Sequence, residues 1–343
     1  MKRIFTGIII ATFLLANVEF TKAQSFEEVV ESGVADANTY LGHYMNPVAS
    51  SIGNGLANGW YNTAKPHKTL GFDLTFNINM ATIPDAAKTF EFVEAEYDNI
   101  SLANPANSSL PTFIGGSTDQ NLVISGNREV AGGQSIAYDE TIGAPDGILD
   151  DLDYPGPLAI PTPTVQLGVG IVKNTDLIIR FTPQISVGDF AFQSFGFGVK
   201  HDFKQWIPGM KLLPFDLSGL VAFNRLNTTY QINEAEGQVA EFGASATTVQ
   251  AIISKKLLFF TPYAGLGFNI VRSNFAMKGD YQFDGGSEPY TVTDPIDLSF
   301  DGSGEPRFTI GARVKILWVL ALNVDYTIQR YNTLSVGLGL NIR

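Results

Sequence analysis

The chain has 343 residues, a formal net charge of −12, 45% hydrophobic residues and no cysteine. The lack of cysteine excludes disulfides and thiolate metal sites. A protein that binds the phosphate backbone needs a basic stripe, and none is visible in the sequence, so we expect no nucleic-acid partner.

The N-terminus has the organisation of a cleavable signal peptide. Lys2 and Arg3 precede an apolar stretch over residues 8–15, and small residues before Gln24 suit a cleavage site. The apolar stretch is too short to span a membrane, so we expect an exported protein with a signal peptide over residues 1–23. Removing Lys2, Arg3, Lys22 and Glu19 from 22 basic and 34 acidic residues leaves 19 and 33, a net charge of −14.

Residues 24–66 are predicted to form a helical lead or plug. A helix is expected over residues 25–44, because apolar residues recur there at spacings of three and four, and Glu27 and Glu28 lie in its first turn. The glycine-rich tract 53–60 follows. Glycine lets backbone segments approach closely, which favours a plug inside a lumen over a flexible lead in the periplasm.

From residue 67 onward, apolar and polar residues alternate, as they do in strands with one apolar face. The clearest runs are 307–316, 320–329 and 334–343. Each is about ten residues long, enough to cross a bilayer at a tilt, whereas strands of soluble sheets have about five or six residues. We therefore predict that residues 67–343 form an outer-membrane β-barrel; the alternative is a soluble periplasmic β-sandwich with ordinary core aromatics.

Loop lengths agree with a barrel. Bacterial single-chain barrels have an even strand number, short periplasmic turns and longer outer loops. Counting back from the last strand puts four short connections on the periplasmic side: 173–175, 206–212, 255–256 and 317–318. The long tracts fall outside: 132–163, 227–238 and 279–306. Residues 90–97 are expected to form a less regular strand, and the count is even only if residues 121–130 form a strand as well. The predicted fold class is all-β: a transmembrane antiparallel β-barrel of about 12 strands (10–14) with a short helical N-terminal plug.

The polar face of these strands is predicted to point into the lumen. Such residues either cross-link one another across a filled lumen or line a passage, and composition does not choose between the two. Arg313 and Asp325 would have a structural role if they met across neighbouring strands. The predicted lumen residues are Gln166, Arg180, Asp216, Asn224, Arg313, Lys315, Asn323, Asp325, Gln329 and Asn341.

No residue is assigned as catalytic, cofactor-binding or metal-binding, and we expect no enzyme activity and no cofactor. The three histidines lack metal-ligand spacing. His201 and Asp202 would suit a lipid hydrolase only with a serine in hydrogen-bond reach, and no Gly-x-Ser-x-Gly elbow exists. The acidic tract 146–153 offers oxygen ligands for Ca²⁺, but its spacing does not match an EF-hand, and a solvated outer loop explains it as well.

Three segments carry a resemblance to known proteins. Gly59-Trp60-Tyr61-Asn62-Thr63-Ala64-Lys65, Val165 to Gly170 and Gly198 to Asp202 resemble an uncharacterised family of Gram-negative outer-membrane barrels. More distantly, Asn46-Pro47-Val48-Ala49 is similar to the Asn-Pro-Ala of the long-chain fatty acid transporter family, whose N-terminal hatch plugs a fourteen-stranded barrel. Val48 interrupts that motif, and the chain ends in Arg343 rather than the Phe common at barrel ends.

These observations lead to an expected function. The first expectation is passive passage of a small or apolar solute through the lumen, with outer-membrane lipid as the surrounding partner. The alternative is a closed structural barrel whose extracellular loops bind a partner or a surface polymer. A lumen packed with paired charges would favour this alternative.

Overall fold

The computed structural model describes residues 33–130, 134–149, 157–283, 290–302, 304–316 and 319–342. The predicted signal peptide lies outside these residues. Within them the chain forms one α-helix, α1 (Val34–Leu56), and 18 strands. No helix in this part of the chain is long and apolar enough to cross a membrane.

Ten strands close into an antiparallel ring. In chain order these strands are β1 (Phe72–Thr82), β7 (Ala159–Ile171), β8 (Thr175–Val187), β9 (Phe190–Asp202), β10 (Asp216–Asn233), β11 (Gln238–Ser254), β12 (Phe260–Lys278), β16 (Glu305–Ile316), β17 (Leu320–Ile328) and β18 (Thr333–Ile342). Each strand pairs with two neighbours, and the pairing of β11 with β12 closes the ring. The predicted antiparallel barrel is confirmed.

The ring is apolar outside and polar inside. On β18, Leu340 is 47% exposed while its neighbour Asn341 is 2% exposed, and the same alternation recurs on β1 and β17. A water-soluble sandwich would bury the apolar face, because hydrophobic burial drives its folding. The soluble alternative therefore does not fit this structure.

The ring has ten strands, within the predicted range but fewer than the expected twelve. Residues 121–130 do form a strand, β5 (Asn121–Val130), but β5 pairs outside the ring with β3 (Ile100–Leu102) and β6 (Gln134–Gly143). Residues 90–97 are largely irregular. Even parity holds because both of these segments are absent from the ring together.

The two longest connections of the ring lie at the same end of the barrel. At the end where β1 begins, the described turns are 172–174, 203–215 and 255–259, and the predicted turn 317–318 lies outside the described residues. At the opposite end, the chain leaves the ring over residues 83–158 and 279–304. Two of the three predicted long tracts are therefore long connections at this end, whereas β10 extends to Asn233 and leaves only residues 234–237 as its loop, and the loops 188–189 and 329–332 are also short.

The long connections build an ordered cap over the second end. The remaining cap strands are β2 (Thr89–Glu91), β4 (Ser109–Pro111), β13 (Asp280–Phe283), β14 (Tyr290–Thr293) and β15 (Ile296–Asp301). Leu110, Leu122 and Ile296 are fully buried in one apolar cluster with the first turns of α1. The Tyr44 hydroxyl donates to the Asp146 carbonyl at 2.6 Å, and burial raises the pKa of this hydroxyl.

Helix α1 starts in the cap and runs into the barrel. Asp36 accepts hydrogen bonds from the backbone N–H groups of Asp98 and Asn99, which fixes the first turn to the cap. The predicted helix ends at residue 44, whereas the observed helix continues through Pro47 to Leu56. From Ser51 to Ala64 every residue is buried. Burial against the barrel wall outweighs the low helix propensity of proline and glycine here.

Candidate functional site: the plugged lumen

The second half of α1 and the segment after it fill the lumen. Val48, Ile52 and Leu56 pack against one side of the wall at Ala244, Ala246 and Val271. Trp60 and Tyr61 pack deeper, in a cluster with Ile178, Leu220 and Tyr263. We call residues 48–66 the plug segment. The helical N-terminal plug predicted from the glycine-rich tract is confirmed.

Glycine allows the helix to touch the wall. A Cβ on Gly53 would lie 2.0 Å from Val271 Cγ1, and one on Gly55 would lie 2.3 Å from Thr162 Oγ1. A glycine of the wall allows a similarly close contact, because a Cβ on Gly265 would lie 2.1 Å from the Tyr61 hydroxyl. Helix and wall are therefore shaped for each other at close range.

Alanine is expected to have opposite effects at two glycines of α1. Gly42 has open space around its Cβ position, so Gly42→Ala should stabilise by up to about 1 kcal/mol through helix propensity. Gly53→Ala gains the same propensity but collides with Val271, and overpacking costs typically about 1–3 kcal/mol. The temperature at which the folded band disappears in unboiled gels measures the stability of both variants. Val271→Ala should rescue Gly53→Ala; equal effects at both glycines would contradict the observed packing.

Two arginines of the wall cap the C-terminus of α1. Arg180 donates to the carbonyls of Leu56 at 3.0 Å and Asn58 at 2.6 Å, and its guanidinium lies 3.6 Å from the centre of the Trp60 ring. Arg307 donates to the Ala57 carbonyl at 2.9 Å and to the Asn58 side chain. The last carbonyls of a helix lack intrahelical partners and carry partial negative charge, so cations there satisfy and stabilise them.

A second polar cluster holds the plug segment where it leaves the barrel. The Asp176 carboxylate accepts from Lys200 Nζ at 3.0 Å, from the His67 backbone N–H at 2.8 Å and from His67 Nδ1 at 3.1 Å. Lys200 also donates to the Thr63 carbonyl at 3.3 Å, and Asn341 contacts His67 Nε2 at 2.9 Å. The C-terminal end of the plug segment is therefore tied to β9 through Thr63, and His67, just after it, is tied to β8 and β18.

The lumen is tightly filled around Trp60. A cleft lined by Asn58, Trp60, Tyr61, Gln250 and Asp325 has no room for a water molecule. This cleft is closed by its own lining side chains, which agrees with the filled lumen, one of the two that composition left open.

Most predicted lumen residues do face inward. Asp216, Lys315 and Gln329 are half-buried near strand ends. Arg313 lies opposite Asn323 and donates to Asn62, whereas Asp325 lies opposite Gly311 and accepts from the Tyr263 hydroxyl at 2.9 Å. The predicted residues that are buried inside the ring are Gln166, Arg180, Asn224, Arg313, Asn323, Asp325 and Asn341.

The sequence reasoning missed the partners of these residues. Trp60, His67, Asp176, Lys200 and Arg307 make the main contacts with or within the plug segment, and none was predicted as a lumen residue. Alternation with apolar neighbours could have placed the strand residues inside. It could not have shown that they bond backbone carbonyls.

Among the described residues, the remaining candidates for chemistry show no catalytic or metal-binding arrangement. His201 contacts the Thr175 hydroxyl at 2.8 Å, the Trp206 indole at 2.9 Å and Gln205 at 3.3 Å, so none of these three contacts of its ring is made by a serine. Among the described residues no group of three acidic or histidine side chains could hold a metal ion. Residues 150–153 of the acidic tract lie outside the described residues.

Comparison with solved structures gives only distant likenesses. The translocator domain of autotransporter NalP from Neisseria meningitidis has 10% identity and a TM-score of 0.30, over 90% of this chain and 98% of that one. The β domain of the Bordetella autotransporter BrkA has 11% identity and a TM-score of 0.33, over 80% and 99%. A mutant porin from Rh. blastica has 8% identity and a TM-score of 0.18, over 79% and 99%. Sequence identities and TM-scores this low add nothing to the strand pairings described above.

Sequence comparison identifies the family. No curated protein matches this chain. None of the three structures above is a long-chain fatty acid transporter, and the ten-stranded ring departs further from that family's fourteen strands. The model of the family of unknown function DUF6588 matches residues 1–342. The predicted resemblance to an uncharacterised family is thus confirmed, and the chain belongs to the DUF6588 family.

Proposed function

We propose that this protein spans the outer membrane as a barrel that its own N-terminal segment keeps closed, and that it acts through the cap. The outward band of apolar side chains on all ten strands supports the membrane location, because a lipid environment is the one that such a band fits. Export by the predicted signal peptide would deliver it there.

The observation that carries the closed state is the capping of α1 by the wall. Arg180 and Arg307 are buried, and their terminal N–H groups donate to backbone carbonyls of the plug segment, while Arg180 Nε donates to Gln166 in the wall. Withdrawing the segment would break these charge-assisted hydrogen bonds and leave the guanidinium groups to water. These contacts support a resting state with the segment inside.

The cap is the part of the molecule best suited to bind a partner. It is packed around its own apolar cluster rather than formed of loose loops. Its exposed surface is acidic, with Glu91, Glu94, Glu96, Asp98 and Asp119 facing solvent. A partner or surface polymer that carries positive charge would complement this surface.

Single-channel conductance in a planar bilayer tests the proposal. The intact protein is expected to insert and stay silent, while a variant lacking residues 24–66 should show discrete steps, because this deletion removes the whole plug segment, including Trp60 and Tyr61, from the lumen. Retention of the folded band in unboiled gels is the control for the truncated barrel. Steps from the intact protein would overturn the closed state, and failure of both proteins to insert would overturn the membrane location.

Passage of a small solute is the second candidate. The wall of the lumen is polar on many strands, including Thr75, Asn77, Thr164, Asn269 and Asn323. With the plug segment displaced, such a wall would hold water and favour a polar solute over an apolar one. Solute-dependent steps from the truncated variant, blocked by addition of the solute, would support this candidate.

A further inference from the structure

Exposed apolar side chains crowd the end of the barrel where β1 begins. We define the short-turn rim as residues 68–71, 172–174, 203–215 and 255–259. Leu70, Leu212 and Leu258 are 82%, 90% and 86% exposed, and Trp206 and Phe259 are each exposed by more than half. These side chains lie in turns beyond the strand ends, so the barrel wall does not cover them.

Two of these leucines have backbone conformations that leucine rarely adopts. Leu70 has a φ of 66° and Leu258 a φ of 54°. Glycine, asparagine and aspartate are the residues that tolerate this left-handed region. Lys173, Asn174 and Gly209 also take it in the rim, and glycines and Asp294 take it at the opposite end of the barrel. An exposed leucine at such a position costs free energy in backbone strain and in hydration, and a partner that covers the side chain would offset this cost.

The short-turn rim is also basic. Its residues include six lysines and no acidic residue. Of these, Lys68, Lys173, Lys255 and Lys256 are exposed. The cap at the other end is acidic, so the molecule has opposite charge at its two ends. An apolar surface ringed by lysines matches an anionic lipid interface, where apolar side chains enter the acyl boundary and lysines reach the phosphates.

Hydrogen bonds fix the geometry of the rim. Gln205 donates to the carbonyls of Lys173 at 2.9 Å and Asp202 at 2.7 Å, which binds the loop 203–215 to the turn after β7. The Trp206 indole donates to His201 at 2.9 Å. The tryptophan ring is therefore held beside His201 at the end of β9, and interfacial tryptophans take such positions near strand ends.

We propose that the short-turn rim binds the headgroups of an anionic phospholipid leaflet. This inference rests on the proposed membrane location. The rim is continuous with the lipid-facing band through exposed residues at the strand ends, such as Phe72, Phe260 and Ile316. That continuity favours lipid over a protein partner or a second copy of this chain.

Quenching of Trp206 by brominated phospholipids tests the proposal. Bromine on the acyl chain quenches tryptophan on contact, and the spectrum of a Trp206→Phe variant isolates the signal of this residue. In bilayers of phosphatidylcholine with phosphatidylglycerol, we expect quenching from brominated phosphatidylglycerol to be roughly fivefold more effective, the factor that one lysine near an anionic surface supplies. High salt should remove the difference by screening.

Two triple variants distinguish the effect of positive charge at the short-turn rim from the effect of the overall charge of the protein. Lys173→Gln with Lys255→Gln and Lys256→Gln should abolish the preference, whereas Lys88→Gln with Arg272→Gln and Lys278→Gln at the opposite end should keep it. Equal quenching by both lipids in the unmodified protein would overturn the proposal. So would no quenching by either lipid in an inserted barrel, since Trp206 would then be covered by protein. A chain that enters no bilayer would instead overturn the proposed function.

Discussion

Replacing Arg180 with methionine is expected to loosen the plug segment while leaving the barrel folded. Methionine keeps much of the packing volume but leaves the carbonyls of Leu56 and Asn58 without their donor in the lumen. Hydrogen bonds to charged groups contribute roughly 1.5–3 kcal/mol each. We expect hydrogen exchange of the amides in residues 56–63 to accelerate about a hundredfold, since about 3 kcal/mol of local opening free energy is lost.

Arg225→Met is the matched control for this change. Arg225 is exposed on β10 and bonds Asn227 rather than the plug segment. Exchange in residues 56–63 should be unchanged in this variant. The same protection in Arg180→Met as in the unmodified protein would show that the arginine does not hold the segment in place, because the cost of burying its charge would then cancel the hydrogen bonds.

Replacing Asp176 with leucine is expected to be among the most destabilising single changes in the chain. Asp176 is the buried carboxylate that both Lys200 and His67 contact. Removing one partner of a buried ion pair leaves the other charge uncompensated and costs about 3–5 kcal/mol. The temperature at which the folded band disappears in unboiled gels should fall accordingly, and residues 63–67 should become accessible to protease.

A double variant decides whether the loss arises from the unpaired lysine. Asp176→Leu with Lys200→Met removes both charges, so it should recover a large part of the stability lost in Asp176→Leu. Asp216→Leu, at a half-buried position of β10 on the same end, serves as the control for introducing leucine. Losses in the double variant as large as the sum of both single losses would assign the effect to packing instead.

The barrel could be predicted from the sequence because its physical cause is periodic. Ring strands meet lipid-like surroundings on one face and polar groups on the other, and alternation such as Leu322, Asn323, Val324, Asp325 records this directly. The strand number could not be predicted in the same way. In β5, Leu122 and Ile124 are buried in the cap and alternate with more exposed residues, so a half-buried strand outside the ring has the same pattern as one inside it.

The helix end and the lumen contacts were harder for two different reasons. Pro47 and the glycines after it have low helix propensity, but burial inside the barrel, which no local pattern reveals, carries the helix to Leu56. The contacts of Arg180 and Lys200 go to backbone carbonyls, and a carbonyl looks the same in every residue of a sequence. Of these lumen contacts, only the glycines that let the helix and the wall approach closely could be recognised in the sequence.

The position of β1 sets the order in which the molecule can assemble. β1 is held between β7 and β18, so Phe72 pairs with Ile342 across nearly the whole length of the chain. Closing a loop over such a separation is slow, and the ring does not enclose a lumen until β1 has paired with β18. We expect the N-terminal segment to lie along the open sheet before the first and last strands meet, because the first turns of α1 pack in the cap and the rest of the helix is enclosed by the ring. Ring, cap and helix would then form one cooperative folding unit.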